Sequence, residues 1–254
     1  MARKICILSG KGGVGKSTIT ANLGFALAKQ CKRVLLVDLD FGLNSLDLLL
    51  SCQDNIVFDI ADVVNKKCRF RQALVADAKM PNLYCLISGS FAPTKSNFYN
   101  FSSLIKREQN AFDYILFDCG AGVNETLDFA LKLTDEVLTV VTPHFVCIKD
   151  AQAVVEYAKK FSPIKIYAIA NRVRGDLVKS GFQMSAHEVF ARLGLTPLGI
   201  VPEVDALNGF CRKESKFFDV LADNLINGKQ TMYNYLKEYN GLFAKLRSKL
   251  KRNA

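Results

Sequence analysis

The chain has 254 residues, half of them apolar, with 16 Gly, 6 Pro and a net charge of +10, enough for one sizeable core with no low-complexity linker dividing it. No apolar run approaches the roughly 20 residues that span a bilayer, and Met1 to Lys4 leads straight into a strand-like run, which argues against a membrane span or a secretory signal. Eight cysteines without a C-x-x-C spacing and two isolated histidines argue against zinc and iron–sulfur sites, and fit a reduced, cytosolic chain.

In chain order, Arg3 to Leu8 reads as a strand, Lys16 to Gln30 as a helix through Ile19, Leu23, Ala26 and Leu27, and Arg33 to Asp38 as a second strand. Further strands are expected at Leu83 to Ile87, Tyr114 to Asp118, Glu136 to Val141, Lys165 to Asn171 and Leu198 to Val201. Helices are expected at Ser102 to Asn110, Glu125 to Leu133, Asp150 to Phe161 and Ser185 to Leu193. Continuous apolar strands alternating with helices predict a three-layer α/β sandwich around a mainly parallel sheet. Ligands bind such sheets at the carboxyl ends of the strands.

Gly10-Lys11-Gly12-Gly13-Val14-Gly15-Lys16-Ser17 falls between the first strand and the first helix and matches G-x-x-x-x-G-K-[ST]. The glycines let backbone N–H groups turn inward around phosphate oxygens, and the helix start adds its positive dipole end. Lys16 is then expected at the β- and γ-phosphates, Ser17 on Mg²⁺ and Thr18 at the α-phosphate. Lys11 is a second lysine that one nucleotide does not need. Spacing alone leaves open a solvated loop lysine or a cation for a neighbouring subunit.

Asp38 and Asp40 close the second strand, two residues apart and pointing the same way on an extended chain. Tyr114-Ile115-Leu116-Phe117-Asp118 is an apolar strand ending in an acid, the Walker B form that holds Mg²⁺. Together with the phosphate loop these acids predict a site for ATP and Mg²⁺.

The tail carries much of the charge. From Lys229 to Ala254 there are seven Lys/Arg and one acid. Read as a helix, Tyr235 to Arg252 puts Tyr235, Tyr239, Leu242, Phe243, Leu246 and Leu250 on one stripe, with Lys245, Arg247 and Lys249 on the other faces. Such a helix suits an anionic membrane surface or an apolar face of its own body, and the pattern leaves both open. Gly241 locally weakens this helix and is read as a hinge between the body and its targeting part. The organisation expected is an ATPase domain over 1–228 and a basic amphipathic helix over 229–254.

The run Lys11-Gly12-Gly13-Val14-Gly15-Lys16-Ser17-Thr18 resembles the deviant Walker A motif of the MinD/ParA (SIMIBI-type) P-loop ATPases. Asp40-Phe41-Gly42-Leu43-Asn44-Ser45-Leu46-Asp47 and Gly199-Ile200-Val201-Pro202-Glu203 resemble its MinD branch, with Val204 where an Asp is usual. The resemblance implies an ATP-dependent homodimer in which Lys11 crosses to the partner's ATP, with Asp40 positioning the hydrolytic water and Asp38 supporting the metal shell. It implies that Asn171, Arg172 and Pro202 lie at the adenine. Asp150, expected at a helix start, is implied at the dimer and partner surface, although a capping carboxylate explains it as well. Further implications are reversible binding to the cytoplasmic face of the cell membrane, MinC-like division-inhibitor and MinE-like activating partners, no specific nucleic acid, and a role in placing the division site.

Gly120, where most of the family has proline, resembles the flagellar-number ATPase FlhG, although little sequence precedes the phosphate loop for that reading. The same loop chemistry would also serve a ParA-like DNA-partition ATPase or an Mrp-like iron–sulfur carrier, the latter opposed by the missing C-x-x-C.

Overall fold

The structure is a computed structural model that describes residues 1–41, 45–89, 94–161, 165–204 and 215–239, apart from the side chains of Lys95 and Glu238. The strands are β1 (Arg3–Leu8), β2 (Val34–Leu39), β3 (Val75–Ala76), β4 (Leu83–Leu86), β5 (Tyr114–Cys119), β6 (Glu136–Val141), β7 (Lys165–Val173) and β8 (Thr196–Pro202). They form one sheet in the order β3-β4-β2-β5-β1-β6-β7-β8, parallel throughout except for the short antiparallel edge strand β3. Every residue of β2, β5 and β6 is buried, as continuous apolar runs in a doubly covered parallel sheet require.

The helices are α1 (Lys16–Lys29), α2 (Ser45–Leu50), α3 (Ile60–Val64), α4 (Lys95–Glu108), α5 (Glu125–Leu133), α6 (Phe145–Ala158), α7 (Gly175–Lys179), α8 (Ala186–Leu193) and α9 (Lys216–Asn227). One face of the sheet is covered by α1, α2 and α9 through Ile19, Leu23, Leu46 and Leu221. The other is covered by α3, α4, α5 and α6 through Ile60, Phe101, Leu127 and Val154. A third cluster ties α6 and α8 to β7 and β8.

Three helices differ from expectation. α4 begins at Lys95 rather than Ser102, because Thr94 caps it and Phe98, Phe101 and Ile105 extend the apolar stripe. α6 begins at Phe145 rather than Asp150: Ile148 and Ala151 are already its core-facing residues. α9 was not expected, although Phe217, Phe218, Leu221 and Leu225 keep helical spacing and Gly228 ends it in the left-handed conformation.

Residues 229–239 belong to the body. Asn224 exchanges hydrogen bonds with the Thr231 backbone, at 2.7 and 3.1 Å, and Tyr233 meets the Phe217 ring edge-on. The expected tail helix starts as a 3₁₀ turn, Tyr235–Tyr239, in which Tyr235 is buried and the Tyr239 hydroxyl donates to the Glu203 carbonyl at 2.8 Å. The first two aromatics of the expected stripe therefore face the protein. Leu242, Phe243, Lys245, Leu246, Arg247, Lys249 and Leu250 lie outside the described residues, as do Gly42, Leu43 and Asn44.

Candidate functional site: a phosphate loop facing three carboxylates

Neighbouring strands β2, β5 and β1 end together and bring the expected residues to one place. Asp38 is paired in register with Asp118, and Asp118 with Ile7 of β1. The loop from Gly10 to Gly15 rises from β1 and hands over to α1. Gly15 caps α1 at φ +93°, and no acid occupies the first turn, so the N–H groups there are open to an anion. Gly15 also admits Asn171: a Cβ there would come 2.6 Å from the Asn171 amide nitrogen.

That amide is a brace. Asn171, buried on β7, donates from Nδ2 to the Val14 carbonyl at 2.7 Å and holds the phosphate loop to the sheet. Its one side-chain donor nitrogen thus points at the loop. Arg172 is exposed in a bulge between β7 and β8, at φ +57°, and Pro202 is buried at the end of β8 in register with Val173. Ser9 fixes the other root of the loop, its hydroxyl donating to the Lys11 carbonyl at 2.8 Å.

The two loop lysines have opposite surroundings. Lys16 is 7% exposed, whereas Lys11 stands in solvent with Gly12 and Gly13. At the same end of the sheet, Val123 after β5 and Val146 at the start of α6 are each more than half exposed, and the Phe145 ring beside Val146 carries the Arg192 guanidinium at 5.0 Å.

Both strand-end acids are fully buried. Asp38 accepts from the Asp40 backbone N–H at 2.9 Å. Burial first, and then the Asp118 charge, push its carboxyl up to about 7. Asp118 accepts from the Thr20 hydroxyl at 3.2 Å. Burial raises it to about 6 against the pull of the Ser17 hydroxyl and the Lys16 ammonium. Its second oxygen, Oδ2, is buried and has no hydrogen-bond partner among the described residues. A bare buried carboxylate oxygen beside Ser17 fits Mg²⁺, a hard cation that takes oxygen ligands and keeps part of its water shell. Thr20, Ser9 and the brace role of Asn171 were not foreseen: no motif marks them, and only the approach of β5 and β7 to the loop gives them partners.

Asp150 needs correction. It lies in the second turn of α6, not at a helix start, so it caps nothing. Its backbone packs on the phosphate loop: a Cβ on Gly10 would fall on the Asp150 carbonyl group. The side chain is half-buried.

A doubly wound parallel sheet with this loop and these acids defines a P-loop nucleoside-triphosphatase. Residues 2–166 match the family model described as an AAA domain. The chain is 40% identical over 210 residues to a putative septum site-determining protein MinD of Emiliania huxleyi, covering 80% of this chain and 75% of that one. The structure superposes on the MinC:MinD cell division protein complex of Aquifex aeolicus with a TM-score of 0.81 at 31% identity, over 92% of this chain and 99% of that one. It superposes on the septum site-determining MinD of Pyrococcus horikoshii, complexed with Mg-ADP, with a TM-score of 0.75 at 27% identity, over 91% and 99%. The chain belongs to the MinD family of P-loop ATPases. Its nucleotide is ATP, its metal Mg²⁺ and its reaction the hydrolysis of ATP to ADP and phosphate.

Proposed function

We propose that this chain is an ATP-controlled switch for placing the cell division site: it dimerises on ATP, binds the cytoplasmic face of the membrane through its tail, and is released by hydrolysis. The observation that carries the reading is the contrast between the loop lysines. Lys16 is enclosed with its own site, while Lys11 stands in solvent at the same end of the sheet as an exposed apolar rim of Val123 and Val146. A cation so placed is suited to phosphate on a second copy, and the rim to burial against that copy.

Within each copy the roles follow from the chain's own groups. The N–H groups of Gly10 to Ser17 and the Lys16 ammonium hold the phosphates. Thr18, in the first turn of α1, is assigned to the α-phosphate. Ser17 and Asp118 hold Mg²⁺, with Asp38 behind them, and Asp40 at the mouth orients the attacking water. Arg172 and Pro202 line the adenine side, with Asn171 beneath. Asp150, beside the loop on α6, is placed to report the loop's state to a partner docked on that helix. The kinship with a MinC:MinD complex supports a MinC-like inhibitor as partner, and the family resemblance implies a MinE-like activator.

No helix among the described residues is long and apolar enough to cross a membrane. The basic tail is the segment proposed to lie on it. Each Lys or Arg near an anionic surface contributes about 1 kcal/mol, so two tails held in one dimer bind far more tightly than one. Sedimentation with anionic vesicles tests this. Wild type is expected in the pellet with ATP and in the supernatant with ADP, while Lys11→Ala and a chain ending at Asn240 stay in the supernatant with either. Wild type that ignores the nucleotide refutes the switch.

A further inference from the structure

A second concave site lies away from the phosphate loop. It is a cavity of about 540 Å³ between the turn that follows α3 and the C-terminal half of α4. The C-terminal end of α4 leads into the start of β5, so this wall stands at the opposite end of the strands from the phosphate loop.

Its rim is cationic. Lys66, Arg69, Arg71 and Arg107 line it against one acid, Glu108, which is already paired with Arg107 at 3.0 Å. Among the described residues no acid lies within ion-pair distance of Lys66, Arg69 or Arg71, whereas neighbouring Lys67 is paired with Asp62 at 3.0 Å. Cations are ordinary at helix C-termini, where they offset the dipole. That explains Arg107 and a lysine after α3. It does not explain Arg69 and Arg71, which flank Phe70 on a separate 3₁₀ turn. Phe70 is buried, so its burial fixes the turn that presents the two guanidinium groups. Lys66 sits at φ +60°, a conformation that costs an L-residue about 1–2 kcal/mol and that glycine would adopt freely. The chain keeps a long cation there.

The floor is apolar, formed by Val64, Phe70 and Leu104. Unpaired guanidiniums form forked, charge-assisted hydrogen bonds to phosphate, and a cavity of this size suits a small molecule. A flat lipid surface would reach the rim but not the floor. The root of the tail, at Tyr239 beside Glu203, lies next to β8, at the opposite edge of the sheet.

We propose that this cavity is a second ligand site, separate from the ATP site, for a small organic diphosphate: its phosphates on Lys66, Arg69 and Arg71, its apolar body on Val64, Phe70 and Leu104.

Full-length protein saturated with Mg-ADP, so that the phosphate loop is filled, is titrated calorimetrically with inorganic pyrophosphate and with geranyl diphosphate. One site per chain is expected for each, with geranyl diphosphate at least tenfold tighter. Both are expected to weaken at least tenfold in R69E/R71E and in K66E, with ADP affinity and circular dichroism unchanged as proof of folding. Cys68 lines the same cavity, so geranyl diphosphate is expected to slow its alkylation several-fold, read by peptide mass. Absence of binding to the ADP-saturated protein overturns the proposal, as does equal binding by wild type and both charge reversals. Equal affinity for the two probes overturns the apolar part. Loss of vesicle sedimentation in R69E/R71E without pyrophosphate binding by wild type assigns the cations to lipid instead.

Discussion

Asp38 and Asp118 share one buried corner, and the consequence can be measured before any ligand is added. Each carboxyl keeps its proton in the folded chain, up to about pH 7 and about pH 6, while the unfolded chain releases it near pH 4. The native state therefore binds more protons across that window, and stability falls as pH rises through it. Metal-free protein is expected to melt higher at pH 5 than at pH 8. Asp38→Asn is expected to flatten the slope, raising Tm at pH 8 by several degrees, as a gain of a few kcal/mol implies for a chain of this size. A steeper slope in the variant would contradict the assignment. Gly120 is the other informative residue. A Cβ there would stand 3.2 Å from Asp40 Oδ1 and 3.5 Å from Asn124 Nδ2, so the glycine leaves room for the Asp40 carboxylate. Gly120→Ala is expected to lower kcat by less than about threefold with ADP affinity unchanged, because the Asp40 carboxylate has to yield only a few tenths of an ångström to a Cβ at a position where most of the family carries one. Steady-state ATPase assays beside ADP titration separate the two effects.

At the scale of the element, the phosphate loop is held by its neighbours as much as by its own glycines. α6 lies against Gly10, Ser9 anchors the Lys11 carbonyl, and Asn171 reaches from β7 to the Val14 carbonyl. Removing the last bond leaves a buried carbonyl without its partner, a cost of about 1–3 kcal/mol. Asn171→Ala is expected to lower Tm by several degrees and to weaken ATP binding, because the loop no longer keeps its phosphate-ready shape. A variant with wild-type Tm would show the bond to be idle. The brace was invisible along the chain because 157 residues separate the partners. α9, by contrast, was legible and was missed: its apolar spacing and its closing Gly228 meet the ordinary rules for a helix and its end.

For the molecule as a whole, the described part of the expected tail, residues 229–239, packs on the body. Residues 229–239 fill the surface beside β7 and β8, with Tyr235 in the core and Leu236 and Tyr239 against Gly175. A chain ending at Asn240 is expected to keep the Tm of the full chain, since these contacts survive. One ending at Gly228 is expected to lose about 3 kcal/mol or more, the usual cost of deleting a buried aromatic side chain. Urea unfolding of the two truncations reads the difference. Equal stabilities would mean that the segment only rests on the surface.

What the chain determined by itself was local. The strand–loop–helix around Lys16, the acids ending β2 and β5 and the parallel α/β sandwich rest on glycine conformations, dipoles and apolar runs that act over a few residues. Family resemblance added the role proposed for Lys11. What only the tertiary structure decided depends on distant elements meeting: the brace from Asn171, the room at Gly120, the place of Asp150 within α6, and the docking of Tyr235. A buried polar group takes whichever partner the fold brings within about 3 Å, and an amphipathic stripe buries itself on whichever apolar face lies nearest. Neither choice is encoded in the spacing of the residues that make it.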